Sequence, residues 1–154
     1  TEVHYFTNRK PKKKRKRWVD PLRRVIKWCS EVMDIKRVSR GDYVGYGSSS
    51  LVTRPLKVAS VPVGYFHGFA RNLSNWGHVL VGGFRAPVIG TVNMNMMMID
   101  ITDIPDVKRG DEVVIIGNQK NETISVGSFG EMTRFINYEL LVGLPSEIPR
   151  VVVE

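Results

Sequence analysis

The sequence is poor in the residues that staple or metallate small proteins. Its 154 residues contain one cysteine, Cys29. A single cysteine forms no internal disulfide and no cysteine zinc cluster, and it is compatible with a reducing compartment. His4, His67 and His78 are scattered without metal-ligand spacing, so each is expected to be structural or solvated and no metal site is expected. No run of about 18 apolar residues offers a transmembrane helix. Thr1 to Lys10 lacks the apolar stretch of a signal peptide. There is no Walker loop, no G-x-G-x-x-G, no G-x-S-x-G and no H-E-x-x-H, which removes the common nucleotide, hydrolase and zinc-protease signatures. The chain starts at Thr1 rather than at a methionine, which predicts a piece or a processed form of something longer.

What is present begins with charge. Lysine and arginine number 23 against 15 acidic residues, a net +8. Residues 9–17 hold eight basic residues in nine positions, and without them 15 basic residues face 15 acidic ones. All net charge therefore sits in one segment. Like charges repel and Pro11 interrupts a helix, so residues 1–20 read as a basic arm or linker and residues 21–154 as the folded domain. Pro11 to Lys16 also has the form of a nuclear-import peptide and would bind nucleic acid or another polyanion. No aromatic residue interleaves the run, and the balanced body offers no surface to extend it, which favours a solvated arm.

From residue 21 onward the pattern is mainly β, many short strands in a sandwich or barrel with one helix. Val25 to Val38 predicts a strand or two. Ser39-Arg-Gly-Asp42 is turn chemistry, and Lys57 to Val63 is a short strand. His78–Val81 and Phe84–Ile89 flank Gly82-Gly83, a pair that allows the positive φ of a two-residue hairpin turn, and Pro87 predicts an edge or bulge on the second strand. Gly90 to Ile101 reads as a longer run broken at Asn93 and Asn95, and Glu112–Ile116 as a buried strand closed by Gly117. Ser128–Val142 predicts the helix, with Phe129, Met132, Phe135 and Ile136 as its apolar stripe and Ser128 with Glu131 as its capping box. Val151 to Val153 reads as a terminal strand. Val38-Ser-Arg-Gly-Asp-Tyr-Val-Gly is echoed by Val107-Lys-Arg-Gly-Asp-Glu-Val-Val, which predicts one turn-into-strand device used twice. The two Arg-Gly-Asp tripeptides belong to these turns rather than to adhesion. Met94, Met96, Met97 and Met98 occupy successive strand positions that point to opposite faces, so core packing is expected rather than copper ligation.

Residue chemistry alone stops at a mainly β domain with a basic arm. Read in order, however, a set of segments resembles the C-terminal domain of alanine racemase. These are Gly41–Gly47, Val61–Gly68, Arg71–Asn75, Gly90–Asn95, Asp100–Pro105, Gly110–Val113, Ile136–Glu139 and Ile148–Arg150. They cover the chain from about residue 21 to the end. The version here is similar to the racemase domains fused to a cell-wall ligase in some bacteria.

The resemblance implies a small β-barrel or sandwich domain of alanine racemase type. It also implies a partner barrel of TIM type that this chain lacks, and a head-to-tail homodimer in the cytoplasm. It implies interconversion of L- and D-alanine for peptidoglycan with pyridoxal 5′-phosphate, whose lysine lies in the missing barrel. The isolated domain is then an incomplete and inactive site. Residue by residue, Tyr46 matches the tyrosine base and Met94 the backbone amide that meets the substrate carboxylate. Tyr65 matches the tyrosine lining the mouth of the site, and Tyr138 the one that hydrogen-bonds the cofactor phosphate. A free phenol has a pKa of about 10, so about one in a thousand is ionised at pH 7 and forming the base costs about 4 kcal/mol. The site must offset that with nearby positive charge or donated hydrogen bonds. In the family that help comes from the other domain.

Three positions depart from the family pattern. His67 stands where an acidic residue is usual, Asn95 where aspartate is common and Asn93 where cysteine is usual, which alters the polar surroundings of the site. Two other functions compete: a nucleic-acid or polyanion-binding module working through residues 9–17, and a racemase-like domain serving only for dimerisation.

Overall fold

The computed structural model describes residues 26–134 and 136–151. The basic arm, the proposed boundary near residue 20, Phe135 of the helical stripe, and Val152 and Val153 lie outside the described residues.

Ten strands, all paired antiparallel, form the framework of the described chain. Strand β1 (Trp28–Glu31) pairs with the long β9 (Glu112–Gln119), which also pairs with β10 (Glu122–Ile124) and β6 (His78–Val81). Strand β6 turns back as β7 (Phe84–Pro87) with Val81 opposite Phe84. Gly82 and Gly83 take φ of 60° and 88°, the two positive angles this hairpin requires. Pro87 falls at the end of β7, the edge strand, where its missing N–H breaks no ladder. A second sheet has the order β2 (Asp34–Val38), β5 (Leu56–Val61), β8 (Met97–Asp100). The two sheets meet at the bridge between Val88 and Ile99 on one side. On the other, β1 runs into β2 through Val32 and Met33, whose N–H donates to the Ser60 carbonyl at 2.9 Å. The arrangement is mainly β with antiparallel sheets, as expected.

Strand β5 shows how the sequence builds two cores. It is apolar at four of its six positions and buried on both faces. Ala59 and Val61 face the main core with Leu80, Ile99, Ile115 and Phe129, while Leu56 and Val58 face a smaller cluster with Val44 and Val52. The period of two along a strand assigns alternate residues to alternate cores. The smaller cluster is covered by the short hairpin β3 (Tyr43–Val44) and β4 (Ser50–Leu51).

The repeated turn is the same device in both places. Gly41 and Gly110 have φ of 95° and 84°. The Ser39 N–H donates to Asp42 Oδ2 at 2.7 Å, and the Lys108 N–H to Asp111 Oδ2 at 3.0 Å. Each glycine N–H then donates to a valine carbonyl, Val52 or Val32, and that valine donates back to the aspartate carbonyl.

Two expectations change. The helix runs as two short pieces, α1 (Val126–Thr133) and α2 (Asn137–Val142). Arg134 between them takes φ 62°, a left-handed conformation that ends α1 and turns Ile136 out of the stripe to 63% exposure. The capping box belongs to Ser125 and Ser128: the Ser128 N–H donates to Ser125 Oγ at 3.0 Å and the Ser125 N–H to Ser128 Oγ at 2.9 Å. Ser128 is thus inside the helix, and Glu131 plays no part in the cap. Helix α1 docks through Phe129, which meets Trp28 and Phe69 edge-on at 6.1 and 5.7 Å. Second, the run from Gly90 forms a strand only from Met97. Met97 is buried and Met98 joins the small cluster, but Met94 is 48% exposed and packs in neither core. Val151 is exposed and outside any strand.

His78 gives a pH dependence. Its Nε2 lies 2.6 Å from Arg85 Nη1, and Arg85 Nε donates to Glu122 at 2.8 Å. Burial and then the Arg85 charge hold the imidazole below its ordinary 6.5, against the opposing pull of Glu122. The unfolded chain therefore binds this proton more readily than the folded one. The stabilising contribution is complete above about pH 6.5 and is lost as pH falls below it. Melting temperatures taken from about pH 7.5 to 5.5 should fall more steeply for the native chain than for His78→Gln. Parallel curves would show that this imidazole is not coupled to folding.

Candidate active site

Tyr46 sits on the tight loop joining β3 to β4. Gly45, Gly47 and Ser48 have φ of 90°, 67° and 55°, so the Gly-Tyr-Gly-Ser sequence meets a left-handed backbone that glycine adopts without cost. Gly45 is also needed for space: a Cβ there would lie 2.8 Å from Gly90 Cα and 2.8 Å from the Thr91 nitrogen. The phenol projects outward, 68% exposed, and among the described residues its hydroxyl has no hydrogen-bond partner. It stands over a cleft of about 280 Å³ floored by Val58 and Met98 and edged by Lys36, Thr91 and Asn93.

Segment 90–94 runs beside that cleft, and its backbone donors are held almost one by one by side-chain oxygens. The Gly90 N–H donates to Asn75 Oδ1 at 2.6 Å, the Thr91 N–H to Ser49 Oγ at 2.8 Å, and the Val92 N–H to Ser74 Oγ at 2.9 Å. The Asn93 N–H closes a turn onto the Met96 carbonyl at 2.9 Å. The Met94 N–H donates to the neighbouring Asn93 Oδ1 at 2.8 Å. Held in this way, the segment presents Met94 at a turn rather than burying it.

Tyr65 is fastened to the same turn. It opens a 3-10 turn, Tyr65–His67, whose first N–H donates to the Asn93 carbonyl at 3.0 Å and whose second, from Phe66, donates to the Met94 carbonyl at 3.0 Å. His67 folds back so that Nδ1 accepts the Gly64 N–H at 3.2 Å, a structural use of the imidazole. The structure thus joins Tyr46, Tyr65 and Met94 through one segment. Tyr138 stands elsewhere, on α2, 74% exposed and lining neither this cleft nor the second one, of about 260 Å³, beside Trp28 and Phe66.

Sequence reasoning missed Lys36, Ser49, Ser74 and Asn75. Ser74 and Asn75 fall inside a motif singled out by resemblance, Arg71–Asn75, while Ser49 lies just beyond Gly41–Gly47. What their identity does not reveal is which amide each hydroxyl or amide oxygen reaches across the fold.

Residues 25–152 match the family model for the C-terminal domain of alanine racemase. The chain is 43% identical over 129 residues to the alanine racemase of Halothermothrix orenii, covering 84% of this chain and 34% of that protein. It is 41% identical over 133 residues to the alanine racemase of Leptospira interrogans serovar copenhageni, covering 86% and 34%. The crystal structure of alanine racemase from Bartonella henselae with covalently bound pyridoxal phosphate superposes with a TM-score of 0.81 at 30% identity, over 87% of this chain and 36% of that one. The chain spans about a third of the length of the relatives it matches.

Proposed function

The chain belongs to the alanine racemase family as its C-terminal domain, and from that premise we propose that it supplies one face of an active site interconverting L- and D-alanine. The observation that carries this is the junction of Tyr46, Tyr65 and Met94 through segment 90–94, with the exposed Tyr46 phenol unpartnered among the described residues. A barrel domain and a second subunit complete the site. The product serves peptidoglycan synthesis in the cytoplasm.

Tyr46 removes or returns the α-hydrogen on one face of the substrate. Among the described residues no hydrogen bond reaches its hydroxyl, and Lys36 is the one cation edging its cleft, so the donors that favour its ionised form come from the completing domain. The Met94 amide orients the substrate carboxylate, displacing the Asn93 side chain that otherwise accepts from it.

Pyridoxal phosphate, when bound, takes up the electron pair left when the α-hydrogen departs as a proton. The described residues fit that group as minor contributors. Tyr138 offers one exposed hydroxyl donor to a phosphate oxygen, which by itself would not hold a dianion. The described lysines are exposed, apart from the half-buried Lys57, which donates to the Val107 carbonyl at 3.3 Å. We assign the lysine that holds the group to the barrel.

The test compares this chain with the complete gene product in a chiral assay of alanine. The complete protein should racemise alanine, and this chain alone should neither do so nor take up pyridoxal phosphate covalently. Borohydride trapping of the cofactor on a lysine of this chain would overturn the division of labour. A complete protein with no racemase activity would favour the dimerisation reading.

A further inference from the structure

Tyr46 and Met94 come from separate segments, and a base and a carboxylate contact are useful together only if their spacing is fixed. The loop carrying Tyr46 has little of its own to fix it. Strands β3 and β4 are two residues each, and Gly45, Gly47 and Ser48 lie in left-handed conformations that continue neither a ladder nor a helix. One side chain bridges the gap. Ser49 Oγ accepts the Thr91 N–H at 2.8 Å, where Gly45 and Gly90 meet back to back. A Cβ on Gly45 would come within 2.7 Å of that hydroxyl, so the loop backbone itself leaves the oxygen little freedom. Of the three consecutive serines, Ser48 is spent on the turn and Ser50 pairs with Val44 in β4.

We propose that Ser49 is a positioning residue that clamps the Tyr46 loop to the substrate-facing segment 91–94. It touches neither substrate nor cofactor and acts through the Thr91 amide. The inference rests on Tyr46 being the base of one face.

The experiment follows exchange of the α-hydrogen of each pure enantiomer of alanine in deuterated water, catalysed by the complete enzyme carrying Ser49→Ala, Ser49→Thr or Tyr46→Phe. Ser49→Ala should slow exchange of the enantiomer served by Tyr46 about ten-fold and leave the other nearly unchanged, the size expected of one hydrogen bond. Ser49→Thr keeps a hydroxyl on the same carbon and should restore the rate. Melting temperature should change little, and the Thr91 amide should exchange faster with solvent in Ser49→Ala. Equal slowing of both enantiomers, or no slowing while Tyr46→Phe abolishes one, would overturn the clamp. If Tyr46→Phe leaves both exchanges intact, the base assignment falls and takes the clamp with it, a result distinct from failure of Ser49 alone.

Discussion

Replacing Tyr46 by Phe in the complete enzyme should collapse racemisation in both directions while leaving the fold intact. The ring is 68% exposed and its hydroxyl has no hydrogen-bond partner among the described residues, so deleting the oxygen strands no buried donor and opens no cavity. The loss falls on proton transfer. Removing a general base typically costs a hundred- to ten-thousand-fold. Racemisation needs a proton group on each face, so losing one stops the net reaction from either enantiomer. Half-reactions separate the faces. Solvent exchange of the α-hydrogen should persist for the enantiomer served from the opposite face and vanish for the one served by Tyr46. Equal loss for both enantiomers would recast Tyr46 as a structural group. No loss for either would move the role to another side chain, with Tyr65 first, since its turn is hydrogen-bonded to the same segment.

The fold was legible in the sequence wherever a local pattern settles a local structure. Gly82-Gly83 between two apolar runs demands a hairpin, and it is there in the expected register. The doubled Arg-Gly-Asp turn was visible as an echo and proves to be one hydrogen-bond pattern used twice. The helix boundary was misread because Ser128 with Glu131 is as good a capping box on paper as Ser125 with Ser128, and because a left-handed Arg134 leaves no mark in a pattern of apolar spacing. The buried placement expected for Met94 failed for a related reason. Strand alternation applies only where a ladder forms, and a turn closed by the Asn93 N–H on the Met96 carbonyl precludes one before Met97. Tyr46, Met94, Tyr65 and Tyr138 were reached by resemblance rather than by chemistry, since a lone tyrosine has no spacing signature. The roles of Ser49, Ser74 and Asn75 were reached by neither, because their partners lie 42, 18 and 15 residues away in sequence.

Gly64→Ala should be among the most damaging small substitutions in the domain, for a reason unrelated to glycine's usual freedom. Its φ of −143° is extended backbone that alanine adopts readily. The obstacle is space. A Cβ at this position would fall well inside contact with the Asn93 carbonyl oxygen and 2.5 Å from that of Met94. Both obstacles are backbone, and both carbonyls already accept hydrogen bonds, from Tyr65 and Phe66 at 3.0 Å each. Neither can swing aside without breaking the junction that sets Tyr65 beside Met94. Overpacking of this kind costs about 3 kcal/mol, or about 10 °C of melting temperature in a domain of this size. Gly41→Ala is the control: its φ is 95°, yet a Cβ there meets nothing within 4 Å, so it isolates the conformational cost of about 1–2 kcal/mol. Gly64→Ala should melt below Gly41→Ala, and in the complete enzyme it should also raise KM for alanine, because the Met94 amide moves with the strained turn. If the two variants melt together, the 3-10 turn slides away at little cost, and the contact between Gly64 and segment 93–94 is proximity without constraint.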